Sequence, residues 1–241
     1  MALNERKTMT GCRSTRSLAL LLGAIAASAH AGQPLVTDDA AVVAPKTCQL
    51  EAWIASGHEG REYWAQPACN FTGNLELAVG GARAVPHSGA TSSLEQLQAK
   101  TVLFSADDDA WSFGILAGAG RDTGAPHGGS AFQLYSAKAL ASLHPSNDLE
   151  IDLNLGAANV YGTGTFAVAA AAVQYTIGHV QLLGEVYRGE PGHASYQVGA
   201  RYIVVPDRFE AYASYGNRFS GSSDQWSAIV GIRLQTPAFL P

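Results

Sequence analysis

Hydrolysis by a nucleophile needs a serine within reach of a histidine that a carboxylate or amide orients. Beyond residue 31 the histidines are His58, His87, His127, His144, His179 and His193, and all lie in or beside runs of turn residues. The sequence has no G-x-S-x-G, and no histidine is matched to a serine at a facing strand position. A lipid hydrolase is therefore the weakest reading, and no residue is assigned as catalytic. The acidic clusters Asp38-Asp39 and Asp107-Asp108-Asp109 lack the ligand spacing of a Ca²⁺ loop, so neither a metal nor a cofactor is expected.

Cys48 and Cys69 carry a different chemistry. With Gly57-His58-Glu59-Gly60 as a tight turn, the two cysteines are equidistant from the tip, as are Trp53 and Trp64. Facing residues of an antiparallel pair have Cβ atoms roughly 4.5–5.5 Å apart, close to disulfide geometry. A Cys48–Cys69 bridge would fix the register and place the chain in an oxidising compartment. The alternative is a pair of free thiols. Trp53 and Trp64 would then face each other, either as a cross-strand structural pair or as a stacking surface for an aromatic ligand.

Around this hairpin the sequence after residue 46 breaks into short alternating segments bounded by turn residues. Strands are expected near 47–57, 60–71, 74–85, 93–105, 109–120, 131–143, 148–158, 164–177, 179–188, 193–205, 207–216 and 225–235. Pro67, inside the second, calls for a bulge or a lost ladder bond. Leu149, Ile151, Leu153 and Leu155 share one face of their strand, and Glu150, Asp152 and Asn154 share the other. A sandwich would bury the apolar face; a membrane barrel would turn it to lipid. Tight connections at Thr72-Gly73, Ala106–Asp108, His144–Asn147, Gly178 and Pro206 alternate with longer links, apart from the tight 58–59 tip. Aromatic residues gather at strand ends, and the apolar faces are rich in Ala and Gly. These features favour a twelve-stranded antiparallel transmembrane β-barrel with short periplasmic turns.

Arg6, Lys7, Arg13 and Arg16 precede an apolar run, Leu18–Ala27, and Ala29-His30-Ala31 has the form of a signal peptidase site. Residues 1–31 are expected to be a cleaved signal, 32–46 an extended periplasmic leader and 47–241 the barrel. Cleavage removes four basic residues and Glu5, leaving a chain more acidic than the −5 of the full sequence. Charged residues make up 15%, below the ~25% of ordinary soluble domains, and no basic stripe suits a nucleic acid.

With the apolar face outward, the lumen collects Glu51, Glu76, Glu150, Asp152, Glu185 and Glu210 together with Lys100, Arg201, Arg208 and Arg233. Such a lining can filter solutes. Twelve strands also leave a narrow lumen that ion pairs and amides can largely fill, which puts a filled or barely open interior slightly ahead. Lys138 shares its face with Phe132 and Leu134, so its direction is poorly specified. An adhesive barrel, presenting loops 121–130 and 217–224, is a further alternative.

The run Pro34-Leu35-Val36-Thr37-Asp38-Asp39-Ala40 and the segment Cys48-Gln49-Leu50-Glu51-Ala52-Trp53 resemble proteobacterial outer-membrane barrels grouped as transporters or as the MetA pathway of phenol degradation. The resemblance implies a small outer-membrane barrel passing a hydrophobic or aromatic small molecule, and it brings no catalytic residues. The expected function is a passive or ligand-selective conduit. Its expected partners are outer-membrane lipid, a small-molecule solute and the barrel-assembly machinery.

Overall fold

A computed structural model describes residues 35–123, 132–190, 193–220 and 226–241. The expected signal peptide lies outside these residues, as do parts of loops 121–130 and 217–224. Twelve antiparallel strands follow one another round a closed barrel: β1 (Cys48–Gly57), β2 (Gly60–Asn70), β3 (Leu75–Pro86), β4 (Ser92–Ser105), β5 (Trp111–Asp122), β6 (Leu134–Ser146), β7 (Leu149–Val160), β8 (Gly164–Ile177), β9 (Val180–Glu190), β10 (His193–Val205), β11 (Phe209–Arg218) and β12 (Ser227–Gln235). Pairing of β12 with β1 closes the ring and removes the exposed edges that an open sheet would leave.

The first hairpin has the expected register, with Gly57 opposite Gly60, Trp53 opposite Trp64 and Cys48 opposite Cys69. The two cysteines form a disulfide. Gly60 adopts a φ of 148°, and a Cβ there would run into the Val85 backbone, so the turn requires glycine. Pro67 produces no bulge. The β2–β3 ladder skips Gln66 and Pro67, then resumes in the same register at Ala68 opposite Ala78. β6 runs on through His144-Pro145-Ser146, which the sequence pattern assigns to a turn. The β6–β7 ladder is irregular between Leu143 and Ser146, and Pro145, lacking an N–H, sits at that break.

Alternation settles which face is which. Leu153, Leu155, Val186, Val198 and Val230 are exposed, while Asp152, Asn154, Glu185, Gln197 and Arg233 are buried. The apolar face is outside and the polar face lines the lumen, which is the pattern of a transmembrane barrel. Outward aromatics form two belts: Phe71, Phe104, Trp111, Tyr175 and Tyr202 near the short turns, and Tyr63, Tyr135, Tyr215 and Trp226 near the longer loops. Such belts suit the two membrane–water interfaces.

Leu155 is 67% exposed and lies mid-strand on the outer face. Leu155→Arg should cost about 2–4 kcal/mol in urea unfolding from lipid vesicles. Thr163→Arg, in a loop, should change stability by less than ~0.5 kcal/mol. Equal effects at the two positions would contradict a lipid-facing wall.

Candidate functional site

The polar lumen is occupied by the chain's own N-terminal segment. Just before β1 the backbone reverses: Thr47 N–H donates to the Ala44 carbonyl, and Lys46 N–H to that of Asn70. Lys46 has a φ of 62°. The C-terminal tail fastens the same corner, with the amides of Phe239 and Leu240 donating to the Lys46 carbonyl. From this corner, residues 43 back to 35 run inside the barrel rather than beneath it. Leu35, Thr37, Asp39, Ala40 and Val43 are buried.

A lone extended segment has no neighbouring strand to satisfy its amides, and buried amides need partners. Lumenal side chains supply them. Val43 N–H donates to Glu76 (2.9 Å), and Asn70 Nδ2 donates to the Val43 carbonyl (2.7 Å). Ala40 N–H donates to Ser142 Oγ (2.8 Å). Asn154 holds Asp38 from both sides, accepting from its N–H (2.8 Å) and donating to its carbonyl (2.6 Å). Glu185 accepts from the amides of Val36 and Thr37 and from the Thr37 hydroxyl, at 2.7–3.0 Å. Glu76 is on β3 and Glu185 on β9, halfway round a twelve-strand ring, so the segment crosses the full bore.

Charges and apolar contacts complete the seat. Lys100 pairs with Asp39 at 3.2 Å and Lys138 with Asp38 at 2.5 Å. Ala40 packs with Leu116 and Leu140, and Leu35 with Ala172 and Leu183. A Cβ on Gly114 would lie 3.2 Å from the Ala40 carbonyl oxygen and 2.7 Å from that of Thr101, so the bare backbone there leaves room for the segment. Behind Ser142 stands Asp152, which accepts from Ser142 (2.5 Å) and from Gln174 (2.8 Å).

The wall away from the seat is closed by its own ion pairs. Arg233 donates to Glu210 at 2.6 Å, Arg201 lies 3.4 Å from the same carboxylate, and Arg201 also donates to Gln181. Between the segment and Glu51, Gln66, Gln98 and Lys100 there remains a cavity of about 20 Å³, room for about one water.

Toward the longer loops the lumen opens into a cavity of about 760 Å³, lined among others by Glu62, Trp64, Leu94, Asp122, Leu134 and Tyr161. Trp53 and Trp64 stack with centroids 5.3 Å apart and planes 8° from parallel. Trp64 Nε1 donates to Glu62 at 2.7 Å.

Of the residues assigned to the lumen from sequence, Glu51, Glu76, Lys100, Asp152, Glu185, Arg201, Glu210 and Arg233 are buried, and Glu150 is partly buried beside His144 at 3.5 Å. Arg208 is not among them. It precedes β11, in the turn after β10, and is exposed. Lys138 faces inward, which its strand's apolar neighbours concealed: Leu134 and Leu140 share its face, and Leu140 is fully buried against Ala40. Ser142 also belongs to the seat without any sign of it in the sequence, because a lone serine on a strand gives no signal of such a role. The placement of the segment before β1 has one sequence cue, the pair Asp38-Asp39, which finds its cations on β4 and β6.

A family model described as an uncharacterised conserved protein matches residues 18–236. No curated protein matches the chain. Among solved structures, the KdgM porin in complex with disordered oligogalacturonate aligns with a TM-score of 0.58 at 13% identity, covering 78% of this chain and 98% of that one. The NanC porin aligns at 0.55 with 11% identity, covering 78% and 98%. The outer membrane protein Omp33 of Acinetobacter baumannii aligns at 0.50 with 7% identity, covering 79% and 98%. The shared property is the fold.

Ala40 has no exposed surface, so a cysteine placed there (Ala40→Cys) should resist a bulky maleimide in the folded barrel. Adding Glu185→Ala and Asn154→Ala should raise its labelling rate at least tenfold. Immediate labelling without those changes would show that the segment is not seated.

Proposed function

The chain belongs to the family described as Uncharacterised conserved protein UCP029691, and we propose that it is a ligand-selective conduit of the bacterial outer membrane, closed in this state by its own N-terminal segment. The observation that carries this reading is how the segment is held. Side chains grip it, and among the described residues no strand pairs with it, so it can leave without breaking a single barrel ladder. A seat built this way is exchangeable, whereas a structural strand would not be. The apolar outer wall, the short turns at one end and the porin-like fold support the membrane setting. The disulfide and the N-terminal signal pattern support export, with outer-membrane lipid and the barrel-assembly machinery as partners. The resemblance to barrels of the phenol-degradation group, together with Trp53 and Trp64, supports a small solute of aromatic character.

A second reading, a permanently filled structural barrel, draws on the number of contacts in the seat. Planar-bilayer recordings separate the two. The full mature chain should be closed apart from brief openings, and a variant lacking residues 35–43 should conduct steadily. Glu76, Glu150, Asp152 and Glu185 should make that current cation-preferring, and Glu150→Ala with Asp152→Ala should reduce the preference. Silence from a folded, heat-modifiable deletion variant would sink the conduit and leave the structural barrel.

A further inference from the structure

The mouth of the lumen toward the longer loops holds groups that closing the bore does not use. Trp53 is 7% exposed and covers one face of Trp64. Trp64 alone of the pair lines the 760 Å³ cavity, a size typical of small-molecule sites, roughly 300–1,000 Å³. The indole of Trp64 is held by its Nε1–H, which donates to one oxygen of Glu62. The carboxylate is thereby fixed at the edge of the ring, inside the same cavity.

The charges around this ring decide which solute fits. Glu62 and Asp122 line the cavity from lumen-facing positions. Glu95 and Arg121 sit at the outward positions between them and pair with each other, with Nε at 2.8 Å and a terminal nitrogen at 2.7 Å from the same oxygen. The cavity therefore presents an acidic face beside an aromatic one. An anion would meet Glu62 and Asp122 unfavourably. A neutral ring would shed water from the carboxylates and return nothing for it. A cation placed against an indole face gains from the ring quadrupole and from the neighbouring carboxylate together.

We propose that this mouth is a binding site for aromatic organic cations, with Trp64 as the stacking face and Glu62 as the counter-charge. The assignment deepens the conduit reading by naming the class of solute it would admit, and it rests on that reading for its role in passage. Leu134 and Tyr161 supply the apolar side of the cavity, which receives the part of the ring that does not carry the charge.

The test is equilibrium binding to the full mature chain in detergent micelles, read by tryptophan fluorescence and by calorimetry. The probes are benzyltrimethylammonium, benzyl alcohol and benzoate. The cation should quench saturably, benzyl alcohol should bind at least tenfold more weakly, and benzoate should not bind. Glu62→Gln should weaken the cation about tenfold while leaving benzyl alcohol unchanged. Trp64→Leu should abolish the saturable signal, with heat-modifiability showing that the barrel is folded. Equal affinity for the three probes, or cation binding indifferent to both variants, would overturn the site. Binding is measured with the bore closed, so a barrel that binds the cation but never conducts would refute the conduit alone. One that conducts but ignores the cation would refute this site alone.

Discussion

A backbone that crosses the inside of a β-barrel has no strand beside it. Each of its amides must then be satisfied by a side chain or left unsatisfied at a cost of about 1–3 kcal/mol. This constraint organises the interior. Glu76, Ser142, Asn154 and Glu185 stand on four strands spaced round half the ring, each matched to a different residue of the crossing segment. Asn154 offers an acceptor and a donor to one residue, using both ends of its side-chain amide. Glu185 offers a carboxylate to three donors. The polar groups on this side of the lumen are matched to the peptide that lies in it.

The same arrangement ties closure to hydration. Lys100 is 3% exposed and its partner Asp39 belongs to the segment. Lifting the segment leaves the ammonium groups of Lys100 and Lys138, the four side chains that accept its amides and an apolar notch beside Leu116 and Leu140. A buried charge stripped of its partner is strongly unfavourable, so the segment can leave only as water enters. The seat is ion-paired in this structure; emptied, it must be wet. No strand pairing is lost in this exchange, because the twelve ladders close on one another without the segment.

What the sequence disclosed and what it concealed divide along the range of the forces involved. The hairpin register followed from a turn and two equidistant pairs, and the barrel followed from period-two alternation. Both are local patterns, and the structure bears both out. The seat is of another kind. Its bonds join residues 27 to 149 positions apart, mostly side chain to backbone, and no period records such a match. Lys138 was obscured because its face also carries Leu134 and Leu140, which are inward since the segment brings an alanine for Leu140 to pack against. Arg208 was placed inside by extending the alternation past the strand's end, where the chain is already turning. The sequence favoured a filled lumen over a wide one; it did not show that the filling is chain rather than wall.

The most direct measurement is hydrogen exchange at the amides of Val36, Thr37, Asp38, Ala40 and Val43 in the folded barrel. If the segment crosses the bore, these amides exchange as slowly as those of the neighbouring strands, while the amides of the exposed 88–91 loop exchange quickly. Exchange of all five at the rate of an unstructured peptide would mean that the segment hangs free of the barrel and that the lumen is not closed by its own chain.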